Sequence, residues 1–93
     1  MSHIAPGGGD CMPVFSREYG KIINRFESTV TAQFFGHTHQ DEFKVFYDTQ
    51  DASRATNVAF LGPSVTTFPG LNPGYRVYSI DGPRSDSSFV TKS

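Results

Sequence analysis

Ninety-three residues suffice for one small domain or a part of a larger one, and a chain this short removes only about 60–65% of its unfolded surface from water. Hydrophobic residues make 37% and aromatic residues 14%, with nine Phe, nine Gly and six Pro, which favours a loop-rich, strand-leaning chain over a helical bundle. A net charge of −1 gives no electrostatic case for nucleic acid or an anionic membrane, and no apolar run is long enough to span a bilayer.

Residues 1–14 hold Pro6, the run Gly7-Gly8-Gly9 and Pro13, and read as loop. They lack a charged segment followed by an apolar one, so no signal peptide is expected within the chain. Ser16 suits a helix N-cap, with Glu18 in the first turn. Tyr19, Ile22, Ile23, Phe26 and Val30 then recur at helical spacing, and the pattern predicts a helix over Arg17–Ser28. The β-branched and aromatic run Thr29–Phe35 predicts a buried strand that Gly36 stops.

Residues 36–41 read as a loop, Glu42–Tyr47 as a strand with partial alternation, and residues 48–56 as a polar connection. Asn57–Leu61 predicts a short buried strand ended by Gly62-Pro63, and residues 62–74 a long loop. Tyr75–Ile80 alternates and predicts another strand, closed by Asp81-Gly82-Pro83. Phe89-Val90-Thr91 is a candidate edge strand in a Ser-rich tail over residues 83–93. One helix followed by four or five strands gives an α+β or α/β piece.

The histidines are the groups on which chemistry can rest. His37 and His39 stand two apart just past a strand, so in an extended segment they face the same side, about 6.5–7 Å apart. They could then serve one metal, or one each of two metals; with His3, three histidines would also suit a single zinc with an open fourth position. On spacing alone the more ordinary reading of each is a surface or hydrogen-bonded histidine, His3 above all because chain termini fray. Asp41 and Glu42 read either as carboxylates that orient an imidazole or as a solvated acidic turn. Ser64 lies outside any G-x-S-x-G elbow, and Gly7-Gly8-Gly9 has no following Lys-Ser/Thr to make a phosphate loop. A lone Cys11 is an inert thiol or one whose partner lies outside the chain.

The string Ala32-Gln33-Phe34-Phe35-Gly36-His37-Thr38-His39 with Asp41-Glu42-Phe43 resembles the last metal-binding motif of the acid sphingomyelinases, members of the calcineurin-like metallophosphoesterases. His3-Ile4-Ala5-Pro6-Gly7 resembles their preceding Gly-His-Ile-Pro-Pro-Gly motif, and Gly70-Leu71-Asn72-Pro73-Gly74-Tyr75-Arg76 resembles the segment that follows. The resemblance covers nearly all of residues 1–82. It implies the C-terminal half of the catalytic domain of a four-layer α/β/β/α sandwich. In that family two zinc ions serve hydrolysis of sphingomyelin to ceramide and phosphocholine; a related alternative is cleavage of nucleotides or other phosphodiesters.

By motif, His3 and His37 would hold one zinc and His39 the other. Phe68 stands where the family places a Tyr near the substrate head group. Cys11 stands near a family cysteine paired with an upstream one. The lipid-presenting domain through which the family meets membranes is not among these 93 residues, nor are the motifs that supply the remaining metal ligands and the general acid. The chain by itself is therefore expected to be inactive, or a non-catalytic partial domain. A lysosomal or extracellular location is a further implication of the resemblance.

Overall fold

A computed structural model describes every residue except Arg84, Phe89 and Ser93. One helix, α1 (Pro13–Arg25), is followed by β1 (Gln33–Phe35), β2 (Glu42–Tyr47), β3 (Ala55–Leu61), β4 (Ser79–Ile80) and β5 (Thr91–Lys92). The first three strands form a mixed sheet in the order β1-β3-β2, in which β1 runs parallel and β2 antiparallel to β3. Among the described residues the last two strands pair only with each other. This is an α+β arrangement; among the described residues no helix is long and apolar enough to cross a membrane.

The helix begins four residues before the expected Arg17, and Ser16 is not its cap. Pro13 occupies the first helical position, where its missing N–H costs nothing and its fixed φ favours the turn. The N–H groups of Phe15 and Ser16 both donate to the Met12 carbonyl, so the first turn closes there. The Ser16 hydroxyl instead accepts the Gly7 N–H at 2.8 Å. The helix ends at Arg25, three residues short of Ser28, and turns continue to Thr29.

Two expected strands shrink for want of a neighbour. Of Thr29–Phe35 only Gln33–Phe35 pairs, against Ala59–Leu61. Of Tyr75–Ile80 only Ser79–Ile80 pairs, against Thr91 and Lys92. Alternating side chains alone do not hold an extended segment without a partner for its backbone groups. Strand β2 keeps its expected bounds, β3 starts two residues earlier than Asn57, and the tail strand falls at Thr91–Lys92, with Phe89 outside the described residues.

The sheet has two unlike faces. Gln33, Phe35, Asn57, Ala59 and Leu61 point to one side and are buried, with Leu61 only 1% exposed. Ala5 joins this core, and Tyr19 of α1 and Phe46 of β2 pack on it. Its polar members satisfy one another. Tyr19 Oη donates to Gln33 Oε1 at 2.6 Å, Gln33 Nε2 to Asn57 Oδ1 at 2.9 Å, and Asn57 Nδ2 to the Val30 carbonyl at 2.6 Å.

The other side carries Phe34, Val58 and Phe60 with Phe43, Val45 and Tyr47, and α1 does not cover it. Tyr78 reaches over it, with ring centroids 5.4 Å from Phe34 and 5.0 Å from Phe60. The cost of this asymmetry is visible in the surface. The chain exposes 6671 Å², where a compact protein of this mass would expose about 5,300 Å². Its radius of gyration is 14.5 Å, against about 12 Å for a compact chain of this length.

Candidate metal centre

The amino-terminal segment lies along the free edge of β1. Ser2 N–H donates to the Phe34 carbonyl at 3.0 Å, and Gly36 N–H donates to the His3 carbonyl at 2.9 Å. Those two bonds bring His3 beside His37, although 34 residues separate them in sequence. A Cβ at Gly36 would meet His3 Nδ1 at 3.5 Å, an ordinary contact, so the approach does not demand glycine there.

The segment after Gly36 is not extended. His37 has φ 78° and His39 has φ 63°, both in the left-handed region that non-glycine residues seldom occupy. Two such residues flanking Thr38 form a bend, so same-face alternation does not describe this pair. Thr38 N–H donates to the Gly36 carbonyl at 3.0 Å and fixes the bend.

The histidines divide accordingly. His37 Nδ1 lies 3.3 Å from His3 Nε2, with the two rings edge to face at a centroid separation of 5.1 Å. The other nitrogen of His37, Nε2, lies 2.7 Å from Asp10 Oδ2. His39 turns to the long loop instead. Its Nδ1 lies 2.6 Å from the Phe68 carbonyl, and its ring sits edge-on to the Phe68 ring at 6.4 Å.

These contacts assign protons. A carbonyl only accepts, so His39 Nδ1 must donate, and in a neutral ring Nε2 then keeps a lone pair. In a neutral His37 ring the same reasoning puts the proton on Nε2, which donates to the Asp10 carboxylate, and the lone pair on Nδ1. Two nitrogens bound at about 2.0–2.1 Å to a tetrahedral zinc-sized ion lie about 3.3–3.4 Å apart. The separation of His3 Nε2 and His37 Nδ1 has that length, so these two atoms could hold two positions of such an ion. Among the described residues no group of three or more His, Cys, Asp or Glu is gathered closely enough to hold a metal by itself.

Asp41 pairs with the Arg76 guanidinium, which stacks over Tyr78 at 5.9 Å, so this acidic residue is neutralised by an arginine and does not touch an imidazole. Glu42 begins β2 and lines a recess with Asp41, Phe43, Phe60, Arg76 and Tyr78. Phe68 presents an exposed ring, and its backbone carbonyl is what engages His39. Cys11, half-buried, accepts the Ser16 hydroxyl at 3.3 Å. Sequence reasoning missed Asp10; the only signal for it was a carboxylate in the same Gly-rich loop as His3.

No family model matches the chain. It is 57% identical over 90 residues to the sphingomyelin phosphodiesterase of Bos taurus and 58% identical over 90 residues to that of Homo sapiens, in each case across 97% of this chain and 14% of the relative. It is 40% identical over 93 residues to sphingomyelin phosphodiesterase 2 of Caenorhabditis elegans, across 99% of this chain and 15% of that protein. The chain thus spans about one seventh of the length of the relatives it matches.

Proposed function

Related along nearly its whole length to a segment of the sphingomyelin phosphodiesterases, the chain serves, we propose, as part of the metal-binding wall of a phosphodiesterase that hydrolyses sphingomyelin to ceramide and phosphocholine. The observation that carries this reading is the 3.3 Å approach of His3 Nε2 to His37 Nδ1, the spacing of two ligands on one tetrahedral ion. In this reading His3 and His37 hold one zinc ion through those atoms, and His39 offers Nε2 to a second. The other ligands come from residues outside this chain.

When bound, such ions polarise phosphoryl oxygens and make water a nucleophile near neutral pH. The chain's own residues set the stage for that. The β1 edge fixes the His3 backbone against Gly36, and the Phe68 carbonyl holds the His39 ring by its Nδ1–H. Phe68 exposes its ring beside His39, where an apolar or cationic part of a substrate can rest against it. The Asp41–Arg76 pair holds the long loop against the start of β2. Cys11, with no second cysteine in the sequence, pairs in this reading with one outside the chain, a bond made in the oxidising ER lumen on the way to a lysosome or the cell exterior.

The test is turnover by the full-length protein that carries this segment. It should hydrolyse sphingomyelin in preference to a nucleotide phosphodiester, lose activity to a chelator, and lose it in His37→Ala. Near-wild-type turnover by His37→Ala would reject the ligand assignment.

A further inference from the structure

Asp10 follows His3 by seven residues, with Pro6-Gly7-Gly8-Gly9 between them. That stretch folds back on itself. Gly7 takes φ 86°, which glycine adopts without strain, and its N–H is held by Ser16 Oγ of α1. Cys11 N–H donates to the Gly8 carbonyl at 3.1 Å, and Lys44 Nζ of β2 donates to the Pro6 carbonyl at 3.2 Å. Helix and sheet therefore both grip the loop, and its far end sets the Asp10 carboxylate 2.7 Å from His37 Nε2.

Stability is not what this contact supplies. The Asp10 side chain is 73% exposed, and pairs of that kind contribute little to folding. Its consequence is for the ring. A carboxylate accepts, so it selects the form of the neutral imidazole that carries its proton on Nε2 and its lone pair on Nδ1. Nδ1 is the atom facing His3. Asp10 cannot share a cation with that atom while it bonds the nitrogen across the ring.

We propose that Asp10 is a positioning residue: its carboxylate fixes the tautomer and direction of the His37 ring, so that Nδ1 and His3 Nε2 present two lone pairs to one divalent cation. The inference rests on the metal-binding reading above. Carboxylates that orient ligating imidazoles in this way change metal affinity about 10–100-fold when removed.

The experiment compares the full chain with its Asp10→Ala and Asp10→Asn variants at slightly alkaline pH, first without metal and then titrated with zinc against a competing chelator. Nitrogen-15 shifts of the imidazoles report the tautomer. The wild type should show His37 protonated on Nε2. Asp10→Ala should populate both tautomers and bind zinc roughly 10–100-fold more weakly, with an unchanged circular dichroism spectrum. Asp10→Asn, whose side-chain oxygen still accepts from Nε2, should keep the tautomer and most of the affinity. The proposal is overturned if Asp10→Ala leaves tautomer and affinity unchanged, or if Asp10→Asn loses as much as Asp10→Ala, which would make charge rather than orientation the cause. Should the wild type bind no zinc, the metal reading fails, and the tautomer comparison still upholds or overturns the role of Asp10.

Discussion

Both faces of the three-stranded sheet carry large apolar side chains, and the two end in opposite environments. On one, Phe35, Ala59 and Leu61 lie under α1 and the amino-terminal loop. On the other, Phe43 is 69% exposed, and Val45 and Tyr47 also face outward. Hydrophobic character therefore does not predict burial here; the availability of a covering element does. A chain with one helix has one cover to give. The open face is an apolar surface of the kind that soluble proteins seldom leave uncovered.

The largest way to break this contrast is at its best-buried point. Leu61→Ala should lower stability by about 2–5 kcal/mol, enough to abolish cooperative melting in so small a core. Thermal or urea unfolding followed by circular dichroism would show it, and an unaltered midpoint would mean that the α1 face is not the folding core.

A smaller effect follows from Tyr19→Phe, which strips the donor from Gln33 Oε1 and should cost about 1–2 kcal/mol. Burial raises the Tyr19 phenol above its usual range. A phenol held neutral by the fold contributes fully below the unfolded value of about 10 and loses that contribution as pH rises through its raised folded value. The gap between wild type and variant should thus narrow above about pH 10. A gap that is constant with pH would place Tyr19 in solvent.

The smallest effect belongs to the open face. Phe43→Thr should shift stability by no more than about 0.5 kcal/mol while reducing self-association in sedimentation. A loss comparable to that of Leu61→Ala would show that Phe43 is covered after all.

Much of this was legible in the residues. Strand β2 could be read to its ends because Phe43, Val45 and Tyr47 alternate with Glu42 and Lys44. The helix stripe was visible, but its start was not, since a proline within a Gly/Pro-rich stretch reads as loop until its neighbours are seen donating to Met12. Residues 75–78 alternate as a strand would and yet stay unpaired, because pairing is a property of two segments and sequence pattern reports only one. At the candidate site, the importance of the three histidines was legible and their geometry was not. Alternation assumed an extended backbone where two left-handed residues make a bend. Asp10 was hidden for a related reason: its contact exists only after a glycine-rich loop closes on itself.

That bend has a consequence for how the chain can change. A left-handed conformation costs a non-glycine residue about 1–2 kcal/mol, and His37 and His39 each bear it. Selection for robustness alone would install glycine or asparagine at both places, and the tip of the loop would relax. A variant hunt that scores only melting temperature should therefore erase the imidazoles first, whereas one that also scores metal binding would keep them and accept the strained bend.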